Sequence, residues 1–200
     1  MGFRKSSSME REWFEGQHRF EHWYRDNTVY FITSKVRNGM NFFLNPEAAS
    51  IYWLKFEEYT SMHGFVPWVT TLMSNHYHTL GYLKSGEKLG EMMRKLHGSV
   101  ASMVIRSVGV RHKPFWREKG NRDYFDGCIR DVLQATRAYQ YVLKQSVRAG
   151  LCKDWSEYSN TRVNVQMIPA IRRAVQLNAF MEDVPYARYE KSKTRHGHFQ

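Results

Sequence analysis

Residues 65–83 read FVPWVTTLMSNHYHTLGYL. Two runs rich in β-branched and aromatic residues flank Ser74-Asn75, a pair that favours a turn, so the stretch predicts a β-hairpin. Pro67 has no N–H to give to a ladder, which predicts that the first strand begins near a sheet edge. Successive strand residues point to opposite faces, so His76 and His78 share one face while Tyr77 and Thr79 take the other. Two neutral imidazoles so placed suit one divalent ion, and oxygen co-ligands point to Mg, Mn or Zn. Polar residues on a solvated sheet face are the other reading.

Working outward, NTVYFITSKV (27–36) carries the β-branched and aromatic signature of a strand and leads to a turn at Asn38-Gly39. NPEAASIYWLKFEEYTSMHG (45–64) has helix grammar, with Asn45 as cap, Pro46 in the first turn, Glu47 near the positive end and Gly64 past the last turn. Ile51, Leu54 and Tyr59 are its expected apolar positions. A second helix fits EKLGEMMRKLHGSVASMVIRSVG (87–109), where Leu89, Met92, Met93, Leu96, Val100, Met103 and Val104 recur at helical spacing as a core stripe. His97 is expected on its surface. KPFWRE (113–118) predicts a short strand, with Trp116 as packing. RDYFDGCI (122–129) leads into a third helix ending near SVRAG, where Gly150 is a natural stop.

The predicted order is strand, helix, strand, strand, helix, strand, helix. It defines an α+β protein: a ferredoxin-like βαββαβ sandwich with an antiparallel sheet and one additional C-terminal helix. Residues 1–26 read as a polar N-terminal arm, 27–163 as the folded domain, and 164–200 as an extension. Within that extension PAIRRAVQLNAFM predicts a short helix, and the end is basic and expected to be mobile.

The third helix carries two tyrosines with different surroundings. Val132, Ala135, Tyr139, Val142 and Val147 trace an apolar stripe, which places Tyr139 in the core. Tyr141 lies about 200° around the helix from Tyr139 at roughly 100° per residue. It shares a face instead with Arg137, Gln145 and Arg148. A phenol beside a carboxamide, flanked by two guanidiniums, combines a nucleophile, an oxygen ligand and phosphate clamps. An exposed tyrosine among surface charges is the alternative.

Composition points to the partner. Thirty Lys and Arg against nineteen Asp and Glu give a net charge of +11 and a pI near 9.7, favouring a polyanion, with nucleic acid ahead of an anionic membrane surface. No apolar run approaches the roughly 18 residues of a membrane span. MGFRKSSSMEREW lacks the apolar core of a signal peptide, so a cytoplasmic location is expected, although Gly2 and Ser6 fit a short myristoylation pattern. Two cysteines, Cys128 and Cys152, are too few for a zinc knuckle or a disulfide framework.

Three blocks in order resemble a known family. LMSNHYHTLGYL is similar to the MPNHxHLL signature of single-tyrosine HUH transposases of the insertion-sequence 200/605 type, especially their REP-associated relatives. PFWREKGNRDYFDGCIRD resembles the family's tryptophan-to-FDH segment, and YQYVLKQSVRAGLCKDWSEYSNTR its tyrosine-helix block. The resemblance runs from about residue 28 to 163. It implies a ferredoxin-like fold, a divalent cation (Mg2+ or Mn2+), single-stranded or hairpin DNA as substrate, and a tyrosine that becomes joined to a 5′ phosphate.

Carried over by position, His76 and His78 match the metal ligands, Tyr141 the nucleophile and Gln145 a third ligand. The helix-face reading selects the same tyrosine. Ser74 stands for the usual Pro, Gln145-Ser146 for Asn-Pro, and Gly127 where a His often follows FD.

The resemblance thus implies a metal-dependent single-stranded DNA endonuclease and transposase of the bacterial nucleoid, monomeric or homodimeric. The alternative is an inactive module that binds single-stranded or hairpin nucleic acid. Candidate DNA contacts are Arg137, Arg148, Arg117, Lys119 and Arg122, with Lys84, Lys88, Arg94, Lys95, Arg111 and Lys113 as further groove candidates.

Overall fold

The computed structural model describes residues 24–109, 113–117 and 123–180. Most of the N-terminal arm with the Gly2 pattern, Arg111, Lys119, Arg122 and the basic C-terminal end lie outside the described residues.

Five strands form one antiparallel sheet in the order β4-β1-β3-β2-β5. They are β1 (Thr28–Lys35), β2 (Phe65–Leu72), β3 (His76–Leu83), β4 (Phe125–Cys128) and β5 (Thr161–Val163). The first four follow the ferredoxin-like order, and β5 extends the β2 edge. β2 and β3 form the expected hairpin. β5 pairs only with Val69–Thr71, so Pro67 lies beyond its reach, where the β2 ladder is also irregular.

α1 (Pro46–His63) and α2 (Lys88–Val108) cover one face of the sheet. Asn45 caps α1 by accepting from the N–H groups of Glu47 and Ala48, and Gly64 ends it with φ 72; such a cap is worth about 1 kcal/mol. The buried stripe of α1 is Ala49, Tyr52, Trp53, Phe56, Thr60 and His63. The expected stripe is corrected here, since Leu54 is exposed and Ile51 and Tyr59 are only half-buried. Three adjacent aromatics bury more area than one leucine, and they set the rotation of the helix. The α2 stripe is as expected, except that Met103 is half-buried.

The opposite face is covered by α3 (Val132–Leu143), the short α4 (Gln145–Arg148) and α5 (Met167–Gln176). Val29, Trp68, Val69, Leu80, Tyr139, Val142, Ala170 and Ala174 form the second apolar cluster there. The predicted third helix is thus interrupted at Lys144, whose φ/ψ of −96/14 separates α3 from α4. α5 is the helix expected in PAIRRAVQLNAFM, starting two residues earlier.

Two further expectations change. KPFWRE contributes only a single bridge, Val36 to Trp116, and the fourth strand is Phe125–Cys128. Phe115 and Trp116 are core fillers, buried against Phe43 and Phe42; buried aromatics in a loop mimic the strand signature, which in FDGC is confined to Phe125. His97 is buried, at 2% exposure. Its Nδ1 pairs with Asp123 at 2.6 Å and its Nε2 with the Tyr77 hydroxyl at 2.9 Å, while its ring stacks on Trp116. The polar partners make its burial tolerable.

Candidate active site

β3 lies between β1 and β2, so its side chains project from the middle of the sheet. His76 is opposite Lys35, and His78 is opposite Thr33 on one side and Thr71 on the other. Tyr77 points the other way into the core, fully buried, with its hydroxyl on His97. A one-residue slip of β3 would exchange the tyrosine for the histidines, so the buried Tyr77–His97 contact also fixes the side from which the histidines project.

The His76 and His78 rings have centroids 5.0 Å apart. Asn75 orients the first. Its Nδ2 donates to the Gly39 carbonyl and to Asn41 Oδ1, both at 3.0 Å, which turns its Oδ1 toward His76 Nδ1 at 2.8 Å. An amide oxygen only accepts, so the Nδ1 of His76 carries the proton and its Nε2 keeps a lone pair. His78 is buried, and its Nδ1 has no hydrogen-bond partner among the described residues.

Burial lowers both imidazoles. His76 is brought down to about 4, with the Lys35 charge adding to the effect, and His78 to about 3, with His76 adding to it. Both rings are therefore neutral at pH 7, the state in which imidazole binds a metal.

Tyr141 reaches this pair from α3. The helix is held to the sheet by Thr71 Oγ1, which donates to the Val142 carbonyl at 2.7 Å, and to the segment after β5 by Tyr139, whose hydroxyl donates to the Val165 carbonyl at 2.9 Å. Tyr139 is buried and Tyr141 is 39% exposed, as their helix faces require. The Tyr141 ring meets His78 edge to face at 5.2 Å and Phe31 at 5.9 Å. Phe31 in turn stacks on His78 at 5.8 Å, and the Arg148 guanidinium lies 5.2 Å from the Tyr141 centroid.

His76, His78, Tyr141 and Arg148 are thus brought together. Gln145 is half-buried, one turn beyond Tyr141 and just past the break at Lys144. Arg137 is exposed one turn before Tyr141. Arg117 stands at the other end of the site, beside Lys35. Lys88, Arg94 and Lys95 sit on α2, across the sheet from the histidines, and Lys95 is paired with Glu91.

Sequence reading did not assign Phe31 or Lys35 a role at this site. Their signal was the alternation of β1, which places Phe31, Thr33 and Lys35 on one face. Gly127, at the position where a histidine is frequent in the family resembled, pairs with Phe31 on β4.

Among the described residues no group of three His, Cys, Asp or Glu stands ready to hold a metal. The donor set is two imidazoles with a phenol and a carboxamide nearby. A buried imidazole nitrogen without a partner, next to a second oriented imidazole, fits a divalent ion.

Fold and site define an α+β protein with a five-stranded antiparallel sheet and a tyrosine beside a histidine pair. The chain resembles a solved REP-associated tyrosine transposase bound to a REP hairpin, with a TM-score of 0.60 at 15% identity, over 84% of this chain and 92% of that one. No family model and no curated protein matches the chain. No helix among the described residues is long and apolar enough to cross a membrane.

Proposed function

We propose that the chain binds hairpin DNA and cleaves and rejoins a single strand through a 5′-phosphotyrosine on Tyr141. The observation that carries this reading is the placement of Tyr141 against His78, two residues from His76 on the same strand face. The hairpin bound by the structural neighbour supports DNA of that form as substrate.

In the cleavage step the Tyr141 Oη loses its proton and attacks phosphorus, forming an O–P bond. The bond from phosphorus to the 3′ oxygen breaks, and that oxygen leaves as a hydroxyl after taking up a proton. A second 3′ hydroxyl reverses the step, so strands are exchanged without ATP or net hydrolysis.

His76 and His78 would hold a divalent ion, Mg2+ or Mn2+, with Gln145 as the third protein ligand. Bound there, the ion supplies positive charge to the phosphoryl oxygens as a Lewis acid. The Arg148 guanidinium lies over the ring of Tyr141, where its N–H donors are available to the oxygens of the phosphate that the tyrosine attacks. Phe31 packs against both the ligand ring and the tyrosine ring, which limits their relative motion.

Labelled hairpin DNA with single-stranded flanks, incubated with Mn2+ or Mg2+ and run on a denaturing protein gel, tests the proposal. Metal-dependent transfer of label to wild type and not to Tyr141→Phe is expected. Binding by both proteins with no transfer to either would identify a binding module instead.

A further inference from the structure

β1 ends at Lys35, and the chain then turns through Asn38 and Gly39, which have φ 58 and 67. The segment 115–117 runs back along this end. Arg37 N–H donates to the Phe115 carbonyl at 2.9 Å, and Arg117 N–H to the Lys35 carbonyl at 2.7 Å, on either side of the Val36–Trp116 bridge. Val36, Phe115 and Trp116 are buried, so a rigid floor carries the outward-facing side chains of Lys35, Arg37 and Arg117.

Between the two segments lies a polar cleft of about 490 Å³, lined by Lys35, Arg37, Asn38, Gly39 and Arg117. Among the described residues that line it, three are cationic and none is acidic. Backbone pairing holds like charges side by side on a fixed floor, an arrangement that favours an anion in the cleft. The Lys35 ammonium and the Arg117 guanidinium can match the oxygens of a phosphodiester, the guanidinium with paired N–H donors, and Arg37 adds its charge beside them.

The cleft is coupled to the histidine site. Lys35 is the cross-strand partner of His76, so the two side chains leave the sheet on the same face. Asn75 spans the same junction, with its Nδ2 on the Gly39 carbonyl and its Oδ1 on His76. A nucleic-acid strand lying over His76 would meet Lys35 next.

We infer that this cleft binds a backbone phosphodiester of the DNA strand flanking the linkage that Tyr141 attacks, an inference that rests on the reading of the chain as a DNA-cleaving protein. The cleft positions the strand by charge and carries no base specificity.

The test uses the full chain and hairpin DNA whose flanking linkages are replaced, one at a time, by uncharged methylphosphonates. Two variants are compared with wild type: Lys35→Gln/Arg37→Gln/Arg117→Gln, and the charge-keeping Lys35→Arg/Arg37→Lys/Arg117→Lys. Thermal melting confirms that both are folded.

Wild type and the charge-keeping variant are expected to lose affinity when one particular flanking linkage is neutral. The Gln variant is expected to bind about tenfold or more weakly and to be indifferent to that linkage. Its log–log salt slope should be shallower by about 0.7, the contribution of one single-strand phosphate neutralised. Wild-type affinity, slope and methylphosphonate response in the Gln variant would overturn the inference. If wild type forms no tyrosine adduct while these binding differences persist, the cleavage reading fails and the phosphate site stands. If wild type forms the adduct and the Gln variant binds like wild type, the phosphate site fails and the cleavage reading stands. No DNA binding by wild type overturns both.

Discussion

The ring of Tyr141 stands 5.2 Å from the ring of His78, edge to face, although one comes from a helix and the other from the central strand of the sheet. Phe31 closes the triangle, at 5.9 Å from the tyrosine and 5.8 Å from the histidine. Phe31→Ala should lower the rate of adduct formation by at least about tenfold while leaving hairpin affinity within about twofold. The reason is that a misplaced nucleophile loses proximity that the bound ground state does not need. Single-turnover rates and titrations on the same hairpin separate the two effects.

Asn75 holds His76 through its Nδ1 and holds the Asn38–Gly39 turn through its own amide nitrogen. Asn75→Ala removes the group that orients the His76 ring; under the proposed function, loss of such an orienting partner is expected to lower metal affinity by about 10- to 100-fold. Calorimetric titration with Mn2+ measures it, and Asn75→Asp, which keeps an acceptor beside His76, should restore most of the affinity.

The histidine pair also sets a pH dependence. In the unfolded chain imidazole takes up a proton near 6.5, whereas burial holds His76 near 4 and His78 near 3 in the folded protein. Below pH 6.5 the unfolded state therefore binds more protons than the folded state, and stability falls as pH falls from about 6.5 towards 3. Urea midpoints taken with a chelator between pH 7.5 and 4.5 should decline. The decline should shrink in His76→Gln/His78→Gln, which has no such groups to protonate.

On the far side of the sheet, His97 bridges the Tyr77 hydroxyl and Asp123. Tyr77→Phe leaves His97 Nε2 without its partner and should destabilise the fold by about 1–3 kcal/mol. His97→Ala also opens a cavity beside Trp116 and should destabilise by more, about 2–5 kcal/mol. Chemical denaturation measures both losses.

Much of the fold was legible because its signals are local. The Asn45 cap, the Gly64 stop, the Ser74-Asn75 turn and the alternation through His76-Tyr77-His78 each require only neighbouring residues. The errors arose where tertiary packing overrides local pattern. Phe115 and Trp116 look like strand residues yet fill a core beside a loop, while FDGC, with Asp126 and Gly127 after Phe125, is a poor strand signal and becomes β4 because β1 offers it an edge. His97 reads as surface by polarity, but Tyr77 and Asp123, 20 and 26 residues away in the chain, satisfy it inside.

At the site, helix periodicity separated Tyr139 from Tyr141, since burial follows the angle around the axis. The roles of Phe31, Lys35 and Asn75 depend on cross-strand register and turn geometry, which no short stretch encodes.

The most direct measurement is to digest the trapped protein–DNA adduct with trypsin and nuclease and to locate the nucleotide by tandem mass spectrometry. Residues 138–144, AYQYVLK, form one tryptic peptide carrying both tyrosines. The account predicts a 5′-linked nucleotide on Tyr141 and an unmodified Tyr139. A nucleotide on Tyr139, or on any residue outside this peptide, would contradict it.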